Sequence, residues 1–205
     1  MKLFSRRGGM AKVKARVTGK RKLYIHNTLE GAAHFIKGVI EEKIKEGTRD
    51  GIGFDYMICA VMLAFSFEAK LNFMGAKYAK PWNESMRWKA KANHVFKAIG
   101  IDSDWTIRPY TSLEKMKVFR DTAAHGKPLE EDLNYEVTGE QDEIRASLNL
   151  RQAWEGMVTH DEVMQAYDDT EVVWKDMIVK SQIDVHELLD QAEFSIEVLQ
   201  RLHAQ

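Results

Sequence analysis

With 205 residues, of which 44 % are hydrophobic and 30 % charged, the chain has the balance of one large globular domain and not of a disordered segment. Its single cysteine excludes an internal disulfide and suits a reducing compartment. The net charge of −1 conceals a polarity along the chain. Residues 1–26 hold nine Lys/Arg and no acid, whereas residues 130–205 hold five Lys/Arg against nineteen Asp/Glu. Met1-Lys2-Leu3-Phe4-Ser5 runs into Arg6-Arg7 without the apolar stretch of a secretory signal. The longest apolar run, about Tyr56 to Phe67, is too short to span a bilayer, so a cytoplasmic protein without a membrane segment is expected.

In chain order, residues 1–26 read as a basic arm. Lys12 to Val17 alternates with period two, Thr18-Gly19 can turn, and Arg21 to Ile25 can pair back, so a short hairpin and an unstructured arm are equally compatible. A helical domain is expected over 27–205. Asn27 with Glu30 forms an approximate capping box, and Leu29, Ala32, Ala33, Ile36, Val39, Ile40 and Ile44 make one apolar stripe ending at Gly47. A second helix, about Phe54 to Tyr78, is apolar nearly all round in its first half, which is the pattern of a central core helix. Cys59 sits inside it as a structural thiol. A third helix runs from about Glu84 to Ile99 between Asn83 and Gly100.

Thr111-Ser112-Leu113-Glu114 has the form of a capping box opening a fourth helix, which Gly126 and Pro128 close. Residues 129–157 read as an insertion. Leu133 to Val137 and Ile144 to Leu150 alternate in part about Thr138 to Asp142 and suggest a β-hairpin. Thr159 with Glu162 caps a further helix, and Ile183, Leu188, Leu189, Phe194, Ile196, Leu199 and Leu202 suggest a last one. The fold class expected is mainly α, an up-and-down helical bundle with a small β-hairpin insertion.

The segment Phe119-Arg120-Asp121-Thr122-Ala123-Ala124-His125-Gly126-Lys127-Pro128 carries the clearest chemistry. Arg120 offers a permanently charged fork suited to phosphate, and a histidine at 125 can serve as general base or acid. RNA suits such a pair because it brings its own nucleophile, the 2′-hydroxyl. Five residues along a regular helix turn the two side chains about 140° apart. Their meeting therefore requires either a loosened last turn or a second chain, as in a two-fold dimer. The histidines are scattered, with no HExxH or His-x3-His pair, so neither a metal nor a cofactor is expected. The tryptophans read as core or dimer-seam residues.

Arg, then a polar residue, then three residues, then His at a helix end resembles the Arg-x4-6-His signature of HEPN ribonucleases, and Arg120 to His125 fits it. The resemblance covers about Thr28 to Pro128. It implies a HEPN-like bundle, metal-independent cleavage of RNA leaving a cyclic phosphate, an active site shared across a homodimer, and a role in a toxin or phage-defence system. Some relatives add a Glu from an earlier helix, for which Glu68 is the candidate here. Arg120, His125 and Glu68 are thus the catalytic candidates, and Asn72, Asp121 and Lys127 the substrate-binding ones. Gly126-Lys127 stands in place of the His-x-Tyr extension of toxins paired with nucleotidyltransferase antitoxins, so the resemblance does not reach that pairing. Two other readings stand beside the nuclease. One is a non-catalytic HEPN-like module that docks RNA or protein, with the basic arm drawing in polyanions. The other is an antitoxin whose acidic last third mimics nucleic acid.

Overall fold

A computed structural model describes residues 12–128, 130, 132, 134, 136–147 and 153–202. The chain divides into two units: a helical one, Ile25–Val185, and one formed by Met1–Tyr24 with His186–Gln205.

The helical unit contains α1 (Ile25–Glu46), α2 (Ile52–Tyr78), α3 (Trp88–Ile99), α4 (Tyr110–Ala124), α5 (Gln141–Ser147) and α6 (His160–Ser181). The apolar stripe of α1 is laid against α2, burying Ala33 and Ile40 beside Cys59, Ala60 and Leu63. α1 stops at Gly47, whose φ of 73° is the left-handed conformation that glycine adopts without a Cβ penalty. Four helices, α1, α3, α4 and α6, contact α2, which explains why its first half is apolar on almost every side. The helix as a whole has the length and hydropathy to cross a membrane. Here it is the central helix of the bundle, and its Asp55, Glu68 and Lys70 are held in ion pairs. Cys59 is fully buried, and burial pushes its thiol up to about 12, which makes it a packing residue and not a nucleophile. Phe67, Phe96 and Phe119 are each buried to within 2 % of complete, worth about 1.5–3 kcal/mol apiece.

Polar ties set the helices against one another. Lys70 of α2 is buried, donates to Glu30 of α1 at 2.6 Å, and lies 5.0 Å from the centre of the Trp174 ring of α6. Arg108 and Ser112 donate to the buried Asp169, linking the start of α4 to α6. The tryptophans fill the interior in part: Trp88 packs on Phe67 and Trp105, and Trp174 is buried. Trp82 closes over Gly75, where an added Cβ would fall 2.3 Å from the indole ring. Gly75→Ala is accordingly expected to lower stability by about 1–3 kcal/mol, read from a denaturant midpoint, because the indole must leave its stack on His94.

The second unit is a two-stranded antiparallel ribbon. β1 (Lys12–Lys22) pairs with β2 (Gln191–Leu202) in the register Val17 to Ile196 and Gly19 to Phe194. One face carries Ala15, Val17, Ile196 and Val198, and the other carries the Arg16–Glu197 ion pair and the Thr18–Ser195 hydrogen bond.

The mainly α class and a small two-stranded antiparallel element are therefore both present, but the strands come from elsewhere. The segment expected as the second arm of an inserted hairpin, from Ile144, lies in α5, and its remainder at 148–150 falls outside the described residues, as do Leu133 and Tyr135. Asp142 and Glu143 in the first turn of α5 favour the helix through its dipole. The last expected helix is the strand β2. Its Phe194, Ile196 and Val198 alternate with polar residues, and pairing with β1, at the other end of the chain, decides between the two periods. β1 runs straight through Thr18-Gly19 without turning back. The capping boxes divide likewise. Thr159 accepts from the Glu162 N–H at 3.4 Å as expected. Thr111 lies inside α4, whose Glu114 instead pairs with Lys89, and Asn27 lies inside α1. Asn83 accepts from the Ser85 N–H ahead of α3.

Candidate active site

α4 is the element that carries the Arg120–His125 segment. Its buried face, Leu113, Met116 and Phe119, points into the bundle, which leaves Lys117, Arg120 and Asp121 turned toward α2 and the start of α3. α4 ends at Ala124. His125 has left helical geometry, with φ −117° and ψ 19°, while its N–H still donates to the Asp121 carbonyl at 2.9 Å. Arg120 and His125 line one cavity of about 590 Å³, together with Glu68, Asp121, Arg87 and Lys117.

Arg120 is held in place by carboxylates. Its Nε and Nη2 donate to Asp121 Oδ1 at 3.0 and 2.7 Å, its Nη1 donates to Glu68 Oε2, and the guanidinium carbon lies 5.4 Å from the centre of the Phe65 ring. Three of the five guanidinium N–H groups are thus engaged. Glu68 also accepts from Lys91 at 2.9 Å, and Asp121 pairs with Lys117 at 2.6 Å. The result is an alternating row, Lys91–Glu68–Arg120–Asp121–Lys117, with one net positive charge. Each carboxylate is flanked by two cations, so the array fixes the Arg120 fork before any ligand arrives.

Burial by itself would raise the Glu68 carboxyl, but hydrogen bonds from Lys91 and Arg120 outweigh it and hold the group below the usual range. Asp121 shows the same balance, burial opposed by Lys117 and Arg120, and is also held down. Both are anions at neutral pH. Glu68 is therefore placed to orient Arg120 and is not poised to accept a proton. A depressed carboxylate contributes stability above its unfolded value, near 4.5 for Glu, and that contribution is lost as the pH falls through the folded value. Glu68→Gln is expected to cost about 2–3 kcal/mol at pH 7, since Lys91 is nearly buried, with the gap from wild type narrowing as the pH falls below the unfolded value near 4.5. Thermal melts on either side of that value test this, and a gap that does not narrow at all as the pH falls would contradict it.

The other expected residues are placed less evenly. Asp121 lines the cavity. Lys127 lines an adjoining one of about 480 Å³ that shares Lys117, Asp121 and His125. Asn72 lies one turn beyond Glu68 on α2 and lines neither cavity. Its Oδ1 is buried without a hydrogen-bond partner among the described residues. Sequence reasoning missed Arg87, Lys91 and Lys117. Arg87 is exposed at the start of α3 and has no ion-pair partner among the described residues, which makes it the uncommitted guanidinium of the cavity. Lys91 was legible as a lysine on the apolar face Trp88, Ala92, Val95 and Phe96, and Lys117 as the i,i+4 partner of Asp121. Among the described residues no group of three or more His, Cys, Asp and Glu side chains is arranged to hold a metal ion.

Comparison with protein-family models, with curated proteins and with solved structures finds no match to this chain.

Proposed function

We propose that this chain is a metal-independent endoribonuclease of HEPN type. The observation that supports the reading is that Arg120 and His125 line one cavity, with Glu68 holding the arginine. In this mechanism His125 takes the proton of a 2′-hydroxyl, the 2′-oxygen attacks the adjacent phosphorus, and the bond from phosphorus to the 5′-oxygen breaks. The products are a 2′,3′-cyclic phosphate and a 5′-hydroxyl. The Arg120 guanidinium stabilises the charge gathering on the phosphoryl oxygens. Lys117 and Lys127 add positive potential along the cavity and its neighbour.

A homodimer belongs to the same proposal. The apolar side chains Phe65 and Val118 are 41 % and 45 % exposed beside the cavity, and burying them against a second copy would bring a second His125 to protonate the leaving oxygen. The setting is a cytoplasmic toxin or phage-defence system. Arg87 acts as the entry fork for the RNA backbone. Its replacement by alanine is expected to raise KM about tenfold with little change in kcat.

A second reading is favoured by the two carboxylates on Arg120: a non-catalytic module that binds RNA or protein at the same cavity. Incubating the purified chain with labelled RNA in EDTA separates the two. Turnover supports the nuclease, and salt-sensitive binding without turnover supports the module.

A further inference from the structure

A second cavity, of about 600 Å³, opens at the other end of α2, where the loop from Arg49 to Gly51 meets the start of α6. Ile52 and Glu68 are sixteen residues apart on one helix, about 24 Å along its axis, so this cavity is separate from the one holding Arg120. Its walls are aromatic: Phe54, Tyr56 and Trp154. Phe54 is 66 % exposed on the first turn of α2 and forms one side of the opening. Two nitrogen-bearing side chains, Arg49 and His160, line the same space. Arg49 has no ion-pair partner among the described residues, and His160 has a buried Nδ1 without a hydrogen-bond partner while its ring lies 6.0 Å from that of Tyr56. Glu155 is the one acidic side chain on the lining.

The combination is selective. Apolar walls of this size exclude an inorganic anion as the whole ligand, and an unpaired guanidinium disfavours a purely apolar one. A concave, mainly apolar space with a few placed polar groups is the ordinary form of a small-molecule site, and its volume lies in the usual range. The first N–H groups of α2 and α6 add a positive partial charge at the same end. We infer that this cavity binds a planar aromatic anion the size of a mononucleotide, its ring against Phe54 and Trp154 and its phosphate on Arg49 and His160.

The test is calorimetric titration of the full chain with each of the four ribonucleoside 5′-monophosphates, and with inorganic phosphate and the free nucleosides. At least one monophosphate is expected to bind with one site per chain, about tenfold or more tightly than phosphate or its own nucleoside. Arg49→Ala is expected to weaken it about tenfold, and Phe54→Ala about fivefold. Both side chains are exposed, so neither change should unfold the chain. His125→Ala should leave the affinity unaltered, which separates this cavity from the one around Arg120. Absence of saturable binding, equal binding of phosphate alone, or affinity indifferent to Arg49→Ala would overturn the assignment. Loss of binding in His125→Ala would overturn it too, by moving the ligand to the other cavity. The presence or absence of binding at this cavity does not bear on whether the chain cleaves RNA.

Discussion

His125→Ala is expected to slow RNA cleavage about 1,000-fold while the helix content and the melting temperature stay near those of the wild type. The two halves of that expectation have different origins. The rate falls because the imidazole is the group assigned to proton transfer, a contribution of about 10²–10⁴ when such a group is removed. Stability holds because the His125 side chain is exposed and its structural part is played by the backbone N–H that caps α4, which alanine retains. A loss of activity accompanied by unfolding would not support the assignment. Circular dichroism on the same preparation separates the two.

Arg120→Lys is expected to reduce cleavage about 100-fold, even though the charge is kept. An ammonium offers one point of donation where the guanidinium offers a fork. Lysine at 120 can satisfy Asp121 or Glu68 and then has nothing left to aim at a phosphate. The residue also lies over Phe65, where a planar cation packs better than an ammonium. A cost of about 1–2 kcal/mol in stability should accompany the substitution, since one of two half-buried carboxylates loses a partner. Activity equal to wild type in Arg120→Lys would leave Arg120 as a structural counter-ion and favour the binding module.

The helices were legible where a period of 3.6 ran long enough. α1 and α2 were visible to within two residues at most boundaries, and the central position of α2 followed from its apolar first half. The termini were not. β1 and β2 are short alternating runs whose structure depends on meeting each other across the whole chain, which no local window can register. At the site, Arg120, Asp121 and His125 stood out as one string, and Glu68 as a carboxylate ending an apolar run. What joins them was hidden. The Lys91 that completes the pairing of Glu68 comes from α3, and Arg87 stands at the start of the same helix, 33 residues before Arg120 in the sequence. His125 departs from helical geometry in both φ and ψ. Gly126 and Pro128 mark the helix end without fixing the direction of the imidazole.

The proposed nuclease needs a guanidinium and an imidazole acting together on one phosphodiester, and the ends of the cleaved RNA report on that step directly. End-mapping of a labelled RNA after incubation with the full chain in EDTA should find 2′,3′-cyclic phosphate and 5′-hydroxyl termini, both missing with His125→Ala. Intact RNA, or the same termini at undiminished yield from His125→Ala, would contradict it.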